Sequence, residues 1–436
     1  MFDMKKYIIA LPLILFMMAT YGQTLQMDLR ECLQYAEQHN LTLQSGGLDV
    51  QISEIQLKQA KLKQYPTVSA SIGQNFGYSH GSESFGLNGN YSINAGIDIF
   101  KGLSIRNSIK QSQLQLNQAQ MQVELEKNSI RIDIIRSFLT ILMNQEMLEY
   151  QRTVLNTSRE QVLQGQKRYE AGRILESDYK LLQAQYLSDS INIENTLIAI
   201  DNEYVALRDL LEIHNNVRLS VITPDSAQLA QSMQVPELST VLQQALDYLP
   251  DLKIRETAVQ IAEYDVKIAK GSYYPSISAN AGIGTGYNAS YGNGNNGLNS
   301  GLYNNLNESV GLNISIPIYQ QGAIRNAVKI RNIQLQQAQI QLHMAEDQVV
   351  QQIEEYHLAV KKAYNNFTLS ELQQEAYYLN FMTYSEKFQL GAITAVELLQ
   401  QQTNYLNILN NYMQNKYNFL LQKKVLDVYT GQEVTL

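Results

Sequence analysis

The sequence predicts a mixed α and β membrane protein built from a tandem internal duplication. Four transmembrane strands per chain are completed by trimerisation into a 12-stranded β-barrel, which long coiled-coil helices continue. Three observations carry this prediction. The first half of the chain aligns on the second; four segments alternate apolar with small polar residues and hold almost no charge; and two stretches of more than sixty residues lack both glycine and proline.

Composition sets the frame. The chain has 436 residues, 44% hydrophobic and 17% charged, and a mean hydropathy of −0.25. That balance excludes a polytopic helical membrane protein and a disordered chain. One cysteine excludes a disulfide framework. The net charge of −8, about −9 without the basic N-terminus, argues against nucleic acid as a partner. Only seven prolines in so long a chain imply long uninterrupted elements.

At the N-terminus, Lys5 and Lys6 precede an apolar run from Ile8 to Met18, followed by Ala19, Thr20, Tyr21 and Gly22. This is the order of a secretory signal over residues 1–22, with cleavage after Gly22. The run is too short for a membrane anchor, which needs roughly 20 apolar residues. Cys32 lies beyond the cut, so it is not the lipid-bearing first residue of a lipoprotein and reads as a buried thiol.

The duplication is dense. Leu29 to Tyr78 aligns without gaps on Leu238 to Tyr287, with identities that include Leu33/Leu242, Ala36/Ala245, Gln51/Gln260, Lys61/Lys270, Tyr65/Tyr274, Pro66/Pro275 and Gly73/Gly282. Further on, Ile105-Arg106-Asn107 matches Ile324-Arg325-Asn326 at a wider spacing, so the second copy carries an insertion in the Gly/Asn-rich stretch from Tyr291 to Asn307, which reads as a longer loop. The expected repeats are 23–236 and 237–436. The first holds strands at about 66–78 and 87–100, a long helix at 103–168, a return helix at 175–213 and a linker at 214–236. The second holds strands at about 275–291 and 308–319, a long helix at 323–390, a return helix at 394–428 and a C-terminal segment.

In the strands, Val68, Ala70, Ile72, Phe76 and Tyr78 alternate with Ser69, Ser71, Gly73, Asn75 and Gly77, and the other three segments repeat this period of two. One apolar and one small-polar face fit tilted strands of an outer-membrane barrel; a soluble β-sandwich face is the alternative. Tyr65, Tyr273, Tyr274, Phe100 and Tyr319 stand at the strand ends as an interfacial girdle. Four strands cannot close, and an open edge in lipid leaves unpaired backbone groups, so the chain must oligomerise. Three copies give twelve strands, enough for a passage.

In the helices, Ile134, Ile141, Leu148, Leu155, Val162 and Tyr169 recur every seventh residue, as do Ile353, Val360, Phe367, Phe381 and Phe388, with Gln374 the exception. A sustained heptad predicts coiled-coil packing of rods roughly 90 to 100 Å long.

Together these residues resemble the TolC-like outer-membrane efflux protein family over essentially the whole mature chain. The carriers are the duplication, Tyr65-Pro66 and Tyr274-Pro275 at helix-to-strand entry, Ile316-Pro317-Ile318-Tyr319 leading into Gly322 at strand exit, and the tip motifs Tyr169-Glu170-Ala171-Gly172 and Phe388-Gln389-Leu390-Gly391. The resemblance implies a homotrimer with a barrel in outer-membrane lipid and a helical tunnel across the periplasm. Its partners would be a periplasmic adaptor (membrane fusion) protein and an inner-membrane pump. In such proteins, carboxylates past the second tip glycine ring the closed mouth. The matching positions are Glu397 and Gln400, with Asp178 in the first copy. Asp178 and Glu397 also read as ordinary acids of a helix start.

Enzyme readings fail on this sequence. His39, His80, His214, His343 and His357 form no ligand pattern, and Gly282-Ile283-Gly284-Thr285-Gly286 lies inside an alternating strand rather than before a helix. No catalytic residue, metal or cofactor is expected. Two export roles stay open, tripartite drug efflux and type I protein secretion, with a non-conducting tether or adhesin as the alternative from another class.

Overall fold

The computed structural model describes residues 24–81, 83–214, 217–224, 235–292, 295–300 and 302–434. The expected signal peptide and residues 215, 216 and 225–234 of the expected linker lie outside the described residues. In chain order the elements are β1 (Thr24–Met27), α1 (Leu29–His39), α2 (Leu41–Leu62), β2 (Thr67–Ser79), β3 (Ser84–Lys101), α3 (Ser104–Glu170), α4 (Glu176–Leu210) and β4 (Arg218–Val221). They continue with α5 (Leu238–Tyr248), α6 (Pro250–Gly271), β5 (Ser276–Gly292), β6 (Asn295–Ser300), β7 (Asn307–Ser315), α7 (Ala323–Leu390) and α8 (Ala395–Tyr429). The chain divides into two compact units. One comprises Met1–Ser45, Val123–Pro250 and Asp347–Leu436, the other Gly46–Gln122 and Asp251–Glu346. Each unit draws on both halves of the sequence, so the compact units are not the sequence repeats.

The second unit holds an antiparallel sheet in the order β2–β3–β5, with β6 and β7 both pairing the remaining side of β5. Residues directly opposite in an antiparallel ladder share a face, so the register can be read as rows across the sheet. Val68, Ala95, Ala281 and Val310 make one apolar row, and Ile97, Ala279 and Leu312 another. On the other face Ser69, Asn94, Gly282 and Ser309 make a polar row, as do Ser71, Ser92, Gly284 and Asn307. The hydroxyls of Ser71 and Ser92 lie 2.7 Å apart across the polar face. Period-two alternation in each strand thus becomes one apolar and one small-polar face of the whole sheet.

The apolar face changes character toward the turn between β2 and β3. Gln74 falls on it, and its amide donates to the Tyr91 hydroxyl at 2.6 Å and accepts from the Tyr287 hydroxyl at 2.7 Å. Phe76, Phe85, Tyr78 and Tyr291 surround this level. The sheet therefore carries aromatic residues at this end as well, which the sequence reading assigned only to the helix-facing ends. Glu308 stands opposite Ile283 at the beginning of β7, on the open edge.

Two expectations are corrected. The strand expected at 308–319 ends at Ser315, because Pro317 has no N–H to donate to a ladder; Ile316, Pro317, Ile318 and Tyr319 run on outside it. The Gly/Asn-rich stretch read as loop contributes β6 to the edge of β5.

The strand-to-helix turns recur in form. Gly102 and Leu103 have φ of 56° and 62°, and Gln321 and Gly322 have 52° and 77°. At Gly102 no side chain fits, since a Cβ there would overlap the carbonyl oxygen of Gly271.

Helix lengths also recur: α2 and α6 have 22 residues each, α4 and α8 have 35 each, and α3 and α7 have 67 and 68. In the first unit the heptad residues form the core. Ile134, Ile141, Ile353, Val360, Phe381 and Phe388 are all buried, whereas Leu155 and Val162 are half-buried because Val154, Ser158 and Gln161 take the seam beyond Leu148. Cys32 is buried in this core, and burial pushes its thiol pKa up to about 12. The N-terminal segment is tied down by the parallel pairing of β1 with β4, inside what reads as linker, and α1 starts on an Asp28–Glu31 capping box.

The facing of the sheet makes a direct prediction. Ile97→Asp and Ile314→Asp place a charge on the apolar face, where lipid exposure costs on the order of 2 kcal/mol; Ser92→Asp and Ser278→Asp place it on the polar face. Outer-membrane assembly, followed by heat-modifiable gel mobility, should fall for the first pair and persist for the second. Equal behaviour of all four would refute the facing.

Candidate functional site

Two helix hairpins in the first unit carry the expected tip residues. α3 ends in a turn where the Gly172 N–H donates to the Tyr169 carbonyl at 2.8 Å and the Arg173 N–H to that of Arg168 at 2.8 Å. α7 ends in the same way, with Gly391 donating to Phe388 at 3.0 Å and Ala392 to Lys387 at 2.9 Å. Both glycines have left-handed backbones, φ 68° and 81°, the geometry of a helix C-cap that a side chain would strain.

Arg168 joins the hairpins. Its Nη2 donates to the Gln389 carbonyl at 2.6 Å, and its guanidinium lies 5.0 Å from the centroid of the Phe388 ring. A cation thereby occupies the negative C-terminal end of α7. The sequence reading missed this residue, for which the signal is only a basic side chain in the last turn of α3.

A cleft of about 660 Å³ is lined by Arg168, Gly172, Asp178, Gly391, Thr394 and Glu397 among others. It brings together both tip glycines and both candidate carboxylates. Gln400 does not line it and donates instead to Asn404 within α8 at 3.1 Å. Pro66, Pro275 and Pro317 belong to the second unit, at the ends of α2, α6 and β7.

Glu397 and Asp178 are held differently. Thr394 caps α8, and Glu397 reaches back to it: the Thr394 N–H donates to Glu397 Oε2 at 2.8 Å, and the Glu397 N–H donates to Thr394 Oγ1 at 3.3 Å. The Thr394 N–H, with the Thr394 hydroxyl donating to the same oxygen at 3.0 Å, favours the carboxylate and holds its pKa below the usual range, though the group is exposed. α4 starts on Leu175, which offers no side-chain cap, with Glu176 and Asp178 in its first turn.

A second polar group lies deep in the seam of α3, α4 and α8. Ser158 donates to Asp189 Oδ2 at 2.5 Å, Gln402 donates to the same oxygen at 2.8 Å, and Gln185 donates to Oδ1 at 2.8 Å. Asp189 is 4% exposed and Gln402 fully buried, its Oε1 without a hydrogen-bond partner. Desolvation raises the Asp189 pKa, against the three donors, which favour its carboxylate. Nothing in the sequence separates Asp189 from the other polar positions of α4.

The sequence profile described as "Outer membrane efflux protein" matches residues 32–211 and 241–432. The chain belongs to this family. Outer membrane protein TolC of Vibrio cholerae is 22% identical over 368 residues, covering 78% of this chain and 80% of its own. Alkaline protease secretion protein AprF of Pseudomonas aeruginosa is 24% identical, covering 70% of this chain and 62% of its own. The crystal structure of CusC superposes with a TM-score of 0.78 at 17% identity over 94% of each chain, a likeness of fold. Outer membrane efflux proteins are channels.

The Asp189 group sets a test of stability. Because its folded pKa is raised, the unfolded chain loses this proton first as pH rises. Its stabilising contribution is complete below the unfolded value near about 4 and is lost as pH rises through the folded value. Asp189→Asn should therefore match or exceed the parent's Tm at pH 7 and flatten its decline above pH 4, while Asp189→Ala strands Ser158 and Gln402 at a cost of about 1–3 kcal/mol. A destabilised Asn variant with an unchanged pH slope would contradict this.

Proposed function

We propose that the protein is the exit duct of a tripartite efflux system, passively conducting substrates across the periplasm and the outer membrane. The observation that carries this reading is the two-faced sheet with two open edges. β2 has a neighbour on one side, and β5 hands its other side to β6 and β7, so among the described residues both outer edges lack a partner. An apolar outer face belongs in lipid, and there an unpaired edge is too costly to persist. Closure by two further copies gives twelve strands and places the rows of Ser, Asn and Gly around a wetted lumen. The homotrimer, its tandem origin and the division into repeats at 23–236 and 237–436 are parts of this proposal, as is delivery by a signal peptide cleaved after Gly22.

In this reading the hairpins of Gly172 and Gly391 meet the periplasmic adaptor and inner-membrane pump, and Asp178 and Glu397 recur three times around the axis at the mouth. Converging carboxylates attract cations and oppose close approach of the helices. The likeness to AprF, a protease secretion protein, supports a second reading in which the same duct serves type I protein secretion. A tether would leave the small-polar face without a role, and no covalent chemistry is proposed.

Two outcomes follow. The purified protein should run as a heat-sensitive oligomer on mild gels, and a monodisperse monomer in detergent would exclude the shared barrel. In planar bilayers Glu397→Gln should lower cation preference and weaken block by multivalent cations, with a smaller effect from Asp178→Asn. Unchanged selectivity and block in an intact Glu397→Gln oligomer would leave that residue as a helix cap alone.

A further inference from the structure

Charge is distributed unevenly along this acidic chain. Residues 57–82, 99–122, 266–307 and 309–345 hold eleven Lys and Arg and no Asp or Glu, although the whole sequence has 33 basic against 41 acidic residues. All four stretches belong to the second unit, and the eleven cations sit at or within the last two turns of α2 and α6, at the end of β3, and in the first two to three turns of α3 and α7. Lys61 and Lys63 close α2 just before Tyr65, and Lys270 closes α6 before Tyr273 and Tyr274. Lys101 ends β3, and Arg106 and Arg325 lie in the first turns of α3 and α7. Every one of the eleven is exposed. Among the described residues only Lys101 has an ion-pair partner, Asp98 at 3.4 Å.

Helix electrostatics explains part of this pattern and not the rest. Lysines at the C-terminal ends of α2 and α6 complement the macrodipole. Arg106 and Arg325 do the opposite, adding positive charge to the positive ends of helices whose first turns contain no acid. Two duplicated positions therefore keep a locally unfavourable charge, and the potential they create attracts an anion from outside the chain. The neighbouring tyrosines say where that anion lies. Tyr65, Tyr274 and Tyr319 are 66%, 59% and 84% exposed, and exposed tyrosines bordering an apolar strand face mark the headgroup level of a bilayer.

We propose that this basic collar binds the phosphodiester headgroups of anionic phospholipids in the leaflet on the helix side of the sheet. The inference rests on the reading of the sheet as membrane-spanning. Its charge is the complement of that surface, and juxtamembrane lysines and arginines at this depth act on anionic headgroups within a Debye length.

The test uses the full-length mature protein, reconstituted with equal phosphatidylglycerol and phosphatidylcholine, recovered in mild detergent and analysed for retained lipid. The wild type should retain phosphatidylglycerol on the order of five-fold over phosphatidylcholine at low salt, and the preference should collapse at high salt. Arg106→Gln/Arg325→Gln/Lys329→Gln should lose most of the preference, while Lys253→Gln/Arg255→Gln, at the other end of α6, should keep it. A wild type with no preference, or a collar variant with an undiminished one, overturns the proposal. So does a collar variant whose lipid ratio is unchanged while its bilayer selectivity shifts toward cations, which would assign the collar to the lumen. A wild type that retains the lipid but never carries unitary current counts against the channel reading instead.

Discussion

Unpaired backbone at the two edges of a sheet with one apolar face is the constraint from which the proposed architecture follows. Each chain carries an apolar sheet face but too few strands to close, and its edge strands carry one acid, Glu308 at the start of β7, and, among the described residues, no covering element. In the proposed trimer those edges are left for other copies of the chain. The small-polar residues of the other face then acquire a purpose, because a wall built only to exclude lipid has no need for continuous rows of Ser, Asn and Gly.

The helical unit is stabilised by different means. Its seams bury Ile134, Ile141, Phe138, Phe381 and Phe388, and apolar burial of this kind is the main favourable term in coiled-coil packing. Polar groups interrupt those seams at chosen places. Glu146 accepts from Lys416 at 2.7 Å and from the Tyr417 hydroxyl at 2.7 Å, and Asp189 gathers three neutral donors without any cation. A buried charge solvated only by neutral donors is expensive to retain. Such a group fixes the alignment of three helices at the expense of stability, which suits helices that must keep their register beside a hairpin turn.

Much of this was legible in the sequence, and the reasons are physical. Strand faces were readable because the period of two survives pairing except at the bulge between Asp98 and Phe100: Val68 and Val310, far apart in sequence, share a row because each alternates correctly in its own strand. The long helices were readable because glycine and proline are absent from their interiors, and the tip turns because only glycine takes their left-handed backbone cheaply. Contacts between distant segments were not readable. Arg168 reaching the Gln389 carbonyl, Gln74 bridging Tyr91 and Tyr287, and the Ser158–Asp189–Gln402 group all depend on which helix or strand lies alongside, and periodicity is silent on that. Many tyrosines escaped for the same reason. Tyr405 and Tyr417 are buried in helix seams, where burial pushes the Tyr405 hydroxyl pKa up to about 12, and neither belongs to a membrane girdle. Strand length was misjudged at Pro317, where the alternation of apolar residues outlasts the ladder.

Closure of the sheet between chains is most directly tested by cysteine cross-linking of its two edges. Cys32 is buried, so an added pair reports cleanly: one cysteine on β2 at Val68, Ala70 or Ile72, the other on β7 at Val310, Leu312 or Ile314. The account predicts that at least one pairing in assembled protein gives a covalent ladder that stops at three chains. Cross-links confined to single chains, or a ladder that stops at two or continues beyond three, would contradict it.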